Sequence, residues 1–463
     1  MNPLLLSLYH RLPSPLRSAA ASLRGWYLNR WRYSAHSESL IEAALSRDRW
    51  SAEQWTRWRE ERLQSVLQRA VTKVPYYRDH WEKRRRLGDR ASWELLENWP
   101  VLEKDAVRTD PHAFLADDCD PRDMFCEHTS GTTGTPLQVW RSRATVAQLY
   151  GVVDARTWRW DRVPAGTRWA RIGGQLVAPL RQRRPPFWVW NLAMRQLYMS
   201  SYHLAPDLIP HYLDALVQYR IRCLSGYPSA LHALAEHALR LGRRDLPMTA
   251  IYTNAEPLYD EQRRTIAAAF QCPVRQTYGM AETVAAASEC PAGRLHQWPE
   301  FGAVEHIGDG ELVCTGLLNP DMPLIRYRVG DRGRTDPVGA EPCACGRTLP
   351  TLGILEGRTN DVLVTSDGRQ VVWINPVFYG MPTRESQIEQ EQLQQLCVRI
   401  APAPGFTDTH EQTIVARLRE RMGNVTVRVE RVDVVPRSAN GKVRAVISSL
   451  SAAERAEALQ STP

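Results

Sequence analysis

Between His128 and Pro136 the chain reads His-Thr-Ser-Gly-Thr-Thr-Gly-Thr-Pro. The hydroxyls of Thr129, Ser130, Thr132 and Thr133 can donate to phosphate oxygens, and Gly131 and Gly134 let the backbone curl close to an anion. A Walker loop needs Gly-Lys-Ser/Thr after a four-residue gap, so this is a different device. By itself the segment reads equally as a phosphate cradle or as a Ser/Thr/Gly turn. A second grouping is Cys290 and His296, followed much later by Cys343 and Cys345. Three thiols and one imidazole match a closed tetrahedral zinc site in ligand type and number. The alternative is reduced, buried cysteines beside a surface histidine. A third signal is scarcity. Only four of the 59 basic residues are lysines, Lys73, Lys83, Lys104 and Lys442. Lys442 follows Gly441 late in the chain, where a compact ammonium can sit between oxygens that a guanidinium fork would crowd.

These groups need elements to hold them. Residues 221–225, 248–253 and 274–278 read as strands, and residues 230–241 and 260–270 as helices with one apolar face. That alternation predicts a mostly parallel sheet with helical crossovers. Ligands in such sheets sit beyond the carboxyl ends of the strands. Those ends carry Gly226-Tyr227-Pro228-Ser229, Asn254-Ala255-Glu256-Pro257 and Tyr278-Gly279-Met280-Ala281-Glu282. Asp309-Gly310 and Asp367-Gly368 read as hairpin turns. Residues 1–100 carry Trp50, Trp55, Trp58 and Leu63 at helical spacing and predict packed helices without visible chemistry. The last hundred residues predict a small α+β unit, with strands at 396–400 and 425–435 flanking a helix at 410–422.

Six segments in order resemble the motifs of the adenylate-forming superfamily of acyl-CoA synthetases, peptide-synthetase adenylation domains and luciferases. Thr129 to Pro136 resembles the phosphate-gripping loop. Asn254-Ala255-Glu256-Pro257 is similar to the adenine-contacting segment. Tyr278 to Glu282 resembles the segment whose Tyr stacks near the nucleotide and whose Glu helps hold Mg²⁺. Arg326-Tyr327-Arg328-Val329-Gly330-Asp331 is similar to the segment whose Asp binds the ribose hydroxyls. Gly357-Arg358-Thr359-Asn360-Asp361 resembles the interdomain hinge, and Pro436 to Lys442 the segment with the catalytic lysine. The details most resemble the phenylacetate–CoA ligase-like branch, which includes proteins associated with capsular polysaccharide.

The resemblance implies an α/β fold. A large N-terminal domain over residues 1–357 has mostly parallel sheets and a β-rich subdomain, and a small mobile α+β lid follows over 358–463, hinged near Asn360 and Asp361. It implies an enzyme that uses ATP and Mg²⁺ to activate a carboxylic acid as an acyl-adenylate, with coenzyme A as the expected acyl acceptor. Transfer to an amine or hydroxyl, for example on a sugar or polysaccharide precursor, is the alternative. Lys442 and Glu282 are the expected catalytic residues, with Glu282 on Mg²⁺, which favours one or two carboxylates plus phosphate and water. The nucleotide is expected on Thr129 to Gly134, Ala255, Glu256, Pro257, Tyr278, Gly279, Asp331 and Arg358. By analogy the acid pocket draws on Tyr202, Gly226, Tyr227, Thr253 and Met280, and its aromatic content points to a flat acid. The branch also implies a structural metal near Cys290, His296, Cys343 and Cys345. Two positions depart from the superfamily pattern. Leu137 stands where a lysine is common, and Asn360 is neutral where the hinge commonly carries an acid.

Composition narrows the alternatives. The chain has 463 residues, 43% of them hydrophobic, and a net charge of +8, which suits two or three domains with a large core. No apolar run approaches the roughly 18 residues of a membrane span. The opening leucines lack the long apolar core of a signal peptide. Nine cysteines spread over such a length fit a reducing compartment, so the expectation is a soluble cytoplasmic protein. The arginines are dispersed. The densest runs, Lys83 to Arg86 and Arg181 to Arg184, lack a recognition-helix or stacking pattern, so they read as solvated faces rather than a nucleic-acid surface. The amphipathic stretch from Arg24 to Trp31 reads as a docked helix, with anionic lipid as the alternative. A non-catalytic nucleotide- or metal-binding protein is disfavoured because Glu282, Asp331 and Lys442 are all present.

Overall fold

The structure is a computed structural model that describes residues 3–128, 137–256, 258–308, 310–336, 343–353, 362–371, 374–378, 380–402, 405–433, 435–436 and 444–460. Its main sheet has ten strands. In the middle, Gln196–Ser200, Trp169–Gly173, Cys223–Gly226, Ala250–Thr253 and Val274–Gly279 lie side by side and parallel. The helices Pro228–Arg240 and Asp260–Phe270 are crossovers between them, as the sequence pattern predicts. Every residue of Cys223–Gly226 and Ala250–Thr253 is buried, which is why these strands read as short unbroken apolar or small-residue runs rather than as alternating ones.

Parallel pairing stops at the flanks. Trp188–Asn191 closes one edge antiparallel to Gln196–Ser200. On the other side Ala286–Glu289, Leu295–Gln297, Thr351–Leu352 and Thr335–Asp336 follow in antiparallel ladders. The connection between Glu289 and Leu295 is too short for a crossover, so those strands can only return antiparallel. A separate three-stranded antiparallel sheet, Gly302–Ile307, Glu311–Gly316 and Tyr327–Arg332, forms the β-rich part. Gly310 has φ +88° in the hairpin linking its first two strands, the turn conformation that the Asp-Gly pair predicts.

Residues 383–448 build a four-stranded sheet, Thr426–Arg431, Gln395–Pro402, Thr383–Gln392 and Val446–Ser448 in that order, with the helix Asp408–Met422 against it. Five helices precede the sheets, Pro3–Arg11, Ser14–Arg32, Ser37–Arg47, Ala52–Lys73 and Pro75–Arg86. The fourth starts on Ser51, which forms a reciprocal capping box with Gln54, and it buries Trp55, Val66, Leu67 and Ala70. Among the described residues no helix is long and apolar enough to cross a membrane.

Candidate functional site

The three segments at the carboxyl ends of the parallel strands lock onto one another. Thr277 Oγ1 donates to the Thr253 carbonyl at 2.7 Å, the Asn254 amide to the Gly226 carbonyl at 3.1 Å, and Asn254 Nδ2 to Ser225 Oγ at 3.2 Å. Ala255 sits at φ 64°, a left-handed conformation uncommon for a residue with a Cβ. It turns Glu256 toward the start of the Pro228–Arg240 helix. There the carboxylate accepts from the Ser229 amide at 3.1 Å and from Ser229 Oγ at 3.2 Å. Burial nevertheless pushes the Glu256 carboxyl up to about 7. Gly226 lies where a Cβ would meet the Ile172 carbonyl at 2.9 Å, so the close approach of two parallel strands needs glycine.

Two rungs join the Tyr278–Glu282 segment to the strand Tyr327–Arg332. Tyr278 Oη donates to Asp331 Oδ2 at 2.9 Å, and Tyr327 Oη donates to Glu282 Oε1 at 2.9 Å. Tyr327 and Asp331 are four residues apart on one strand, whose register shifts between Arg328 and Arg332, with Gly330 at φ 82°. Glu282, only 7% exposed, has a second partner, Lys104 Nζ at 3.1 Å. Burial raises its carboxyl, but the Lys104 ammonium and the hydrogen bonds outweigh that and hold it below the ordinary value. Lys104 reaches this spot because Leu102 pairs with the strand: its amide donates to the Arg326 carbonyl at 2.9 Å, and its carbonyl accepts from the Arg328 amide at 3.0 Å. The flanking arginines are committed elsewhere, Arg326 to Glu305 and Arg328 to Glu103 and Glu311.

A third tie reaches the hydroxyl-rich loop. The strands on either side of it, Phe125–His128 and Gln138–Arg141, pair antiparallel with His128 opposite Gln138. Arg141 is 1% exposed. Its guanidinium binds Glu127 Oε2 at 2.5 Å and the Ala281 carbonyl, so the loop's base is fixed to the Tyr278–Glu282 segment. Leu137 is fully buried in the core cluster with Val139 and Trp140. Among the described residues, Lys104 and Arg141 are the cations that bind this segment directly.

The structure thus brings together Tyr278, Gly279, Glu282 and Asp331, with Gly226, Thr253, Ala255 and Glu256 on the neighbouring strand ends. Met280 is half-buried on the same segment. Tyr227 is buried at the start of its helix. Tyr202 lies in a cluster with Leu363, Val371 and Ile388, and its carbonyl accepts from Arg369 Nη1 at 3.2 Å. Thr129, Ser130, Gly131, Thr132, Thr133, Gly134, Pro257, Arg358, the hinge pair Asn360 and Asp361, and Lys442 lie outside the described residues. Sequence reasoning passed over Lys104, Tyr327 and Arg141. For Lys104 a signal existed, since it is one of the chain's four lysines.

Some distance along the sheet, Cys290, His296, Cys343 and Cys345 place one ligand atom each within 4.8 Å of all the others. Cys290 and His296 come from the hairpin Ala286–Gln297, and Cys343 and Cys345 from a turn closed by Gly346 at φ +75°. Cys290 Sγ and Cys343 Sγ are 3.7 Å apart, and Cys345 Sγ and His296 Nε2 3.4 Å. A tetrahedral ion with bonds of about 2.3 Å to sulfur and about 2.0 Å to nitrogen sets these spacings at about 3.8 and about 3.5 Å. A disulfide would need about 2.05 Å, and all nine cysteines are free. His296 Nδ1 faces the Leu349 carbonyl at 3.1 Å, which leaves Nε2 as the lone-pair nitrogen toward the cluster. The four residues fit a tetrahedral metal.

Beneath the cluster lies a buried charge network. Asp48 accepts from Arg156 Nε at 2.9 Å, Trp160 Nε1 at 2.7 Å and Arg347 Nε at 3.3 Å. Arg156 forks onto Glu300 at 2.6 and 2.9 Å, and Arg47 adds a bond of 2.8 Å to the same carboxylate. The Asp48 carbonyl also accepts from the Thr348 amide at 2.9 Å.

Against known proteins, the family described as AMP-binding enzyme matches residues 55–309, more than half of the chain. The chain belongs to the AMP-binding enzyme family. Residues 363–449 match the CapK C-terminal domain. Protein CapK of Staphylococcus aureus is 23% identical over 462 residues, spanning 96% of this chain and 99% of that protein. Phenylacetate-coenzyme A ligase of Pseudomonas putida is 27% identical, over 66% of this chain and 70% of that protein. Among solved structures, 2-hydroxyisobutyryl-CoA ligase, in complex with 2-HIB-AMP and CoA in the thioesterification state, superposes with TM-score 0.54 at 20% identity. It covers 87% of this chain and 91% of that one. This AMP-binding enzyme is an adenylate-forming ligase of the phenylacetate–CoA ligase-like and CapK branch, with a mixed α/β fold.

Proposed function

We propose that this AMP-binding enzyme joins a carboxylic acid to the α-phosphate of ATP and then passes the acyl group to coenzyme A. In the first step a carboxylate oxygen attacks the α-phosphorus and the bond to pyrophosphate breaks. In the second the coenzyme A sulfur attacks the acyl carbon and AMP leaves. The supporting observation is the pair of rungs that set Asp331 and Glu282 side by side beyond the parallel strands. Tyr278 donates to Asp331 and holds its carboxylate in place, and Asp331 is assigned the ribose hydroxyls. Glu282 and Asp331 are anions, and the incoming acid and triphosphate add more negative charge. Lys104, already at Glu282, offsets part of it, and Mg²⁺, when bound at Glu282, would supply further neutralisation of the phosphates. Lys442 is assigned the same task at the reacting oxygens, carried by a lid over residues 358–463 that turns about Asn360 and Asp361 relative to residues 1–357.

Cys290, His296, Cys343 and Cys345 are assigned a structural Zn²⁺. Free thiols throughout support a reducing, cytoplasmic setting. The test is pyrophosphate release from ATP across a panel of carboxylic acids, with and without coenzyme A. Acid-dependent release, followed by thioester only when coenzyme A is added, is the expected result. Adenylate that accumulates with coenzyme A but clears with an amine or a sugar hydroxyl would move the acceptor to that class. Release that needs no acid would overturn the reading.

A further inference from the structure

We propose that the two N-terminal helices Pro3–Arg11 and Ser14–Arg32 form a docking face for an anionic phospholipid surface, on which the enzyme lies without inserting a span. Fourteen large apolar side chains stand exposed among the described residues, and seven of them fall within residues 5–33. They include Leu5 and Leu8 on the first helix and Leu16, Leu23, Trp26 and Tyr27 on the second. Leu16, Leu23 and Tyr27, spaced by seven and four, lie on one stripe of their helix.

The opposite face of that helix is held firmly. A Cβ on Gly25 would meet Asn191 Oδ1 at 2.1 Å, so glycine lets the helix sit directly on the Trp188–Asn191 edge strand. Ser22 Oγ accepts from the Leu192 amide at 3.0 Å, Asn29 Nδ2 donates to the Ala193 carbonyl at 2.7 Å, and buried Arg17 donates to the Val177 carbonyl at 3.3 Å. The apolar stripe is thus fixed pointing away from the body. Leu192, 69% exposed, extends it at the hairpin that Ser22 holds.

Charge selects the occupant. Residues 1–37 contain five arginines and neither Asp nor Glu, the first acid being Glu38. Arg11, Arg24 and Arg30 are exposed, and among the described residues none pairs with a carboxylate. Arg24 lies over the Tyr27 ring at 5.5 Å and Arg30 over Trp26 at 4.8 Å. Gln182, which Arg17 holds at 3.2 Å, ties the neighbouring loop to this helix, and in that loop Arg183 pairs with Asp367 at 2.6 Å. A second copy of the chain meeting it about a two-fold axis would set arginine against arginine. An acidic lipid surface satisfies both features. Leucine, tryptophan and tyrosine enter the headgroup boundary while the guanidinium groups meet lipid phosphates. The basic stretch at 24–32, which the ligase chemistry does not use, then has a role.

The test is co-sedimentation of the full-length protein with vesicles of phosphatidylcholine containing about 30 mol% phosphatidylglycerol, against phosphatidylcholine alone. Binding to the anionic vesicles should be about tenfold tighter or more and should fall as salt is raised. Leu23→Glu, and separately the pair Arg24→Ser and Arg30→Ser, should each weaken it by about tenfold. Both should leave the melting temperature and ATP consumption in vesicle-free solution unchanged. Equal partition onto neutral vesicles, no sedimentation of the wild type, or a Leu23→Glu variant that sediments as the wild type does would each overturn the proposal. A wild type that ignores vesicles but dimerises, with Leu23→Glu monomeric, would overturn it in favour of a second copy.

Discussion

The strand-end site around Glu282, here called the cleft, and the Cys/His cluster each gather ionisable groups from remote parts of the chain, but they balance charge in different ways. In the cleft Glu282 already has Lys104 and Tyr327 as partners, and its carboxyl is held down. In the cluster burial pushes the Cys290 thiol up, while against the same burial hydrogen bonds from Arg347, Cys343 and Cys290 hold the Cys345 thiol below its ordinary value, with thiols rather than a cation as the nearest partners. A site with its charge satisfied beforehand can exchange one partner for a ligand and take it back, which turnover requires. Converging thiols suit a cation, and the Zn²⁺ proposed there would stay in place. On the proposed assignments, the strand-end site serves exchange and the cluster permanence.

The sharpest test of that contrast is Lys442→Ala. It should lower acyl-adenylate formation by on the order of 10²–10³, the scale of losing one preorganised electrostatic stabiliser. Transfer from a supplied acyl-adenylate and the melting temperature should stay near the wild-type values. Cys343→Ser should do the reverse, lowering stability by more than about 3 kcal/mol and removing about one zinc per chain by elemental analysis. A variant that keeps its melting temperature, or wild-type protein purified metal-free without chelators, would erase the contrast.

Lys104→Met should cost about 1–3 kcal/mol in transition-state stabilisation and carries a pH signature. In the wild type the depressed Glu282 carboxyl adds stability that is present above its ordinary value of 4.5 and is lost as pH falls through the depressed value. Without the ammonium, burial dominates and the carboxyl rises, so the acid limb of the activity profile should move to higher pH. An unmoved limb would separate Lys104 from Glu282. A second pH signature is expected at Glu256, whose carboxyl is raised from 4.5 to about 7 by burial. Its stabilising contribution is full below 4.5 and is lost as pH rises through about 7. The melting temperature of Glu256→Gln relative to wild type should therefore climb across that window and level off above it. A flat difference would show that the carboxylate is solvated.

Local pattern carried much of the fold. The strands and helices between residues 221 and 279 lie within about two residues of where apolar spacing puts them, because a parallel sheet with crossovers writes its burial into short contiguous runs. The flanking antiparallel strands were less legible, since two- and three-residue ladders such as Thr335–Asp336 and Leu295–Gln297 are fixed by their neighbours rather than by their own propensity. In the site, Tyr278, Glu282 and Asp331 stand out by type and position. Ala255 does not, because nothing in an alanine announces a left-handed backbone. Lys104 owes its place to main-chain pairing of Leu102 with a strand more than 200 residues away, which no local reading contains.

Asp48 carries a consequence for the timing of synthesis. Its carbonyl accepts from Thr348 and its carboxylate from Arg347, and Thr348 is made 300 residues later. At about 5–20 residues per second, that is a wait of about 15–60 s on the ribosome. Through that interval Asp48 lacks two of its final partners, and the cluster above it lacks Cys343 and Cys345. The tryptophans Trp50 and Trp55, which pack beside those cysteines, cannot reach their final surroundings any sooner. The segment from Asp48 to Trp55 emerges early and finishes late, so its tryptophans stay without their final cover for most of translation.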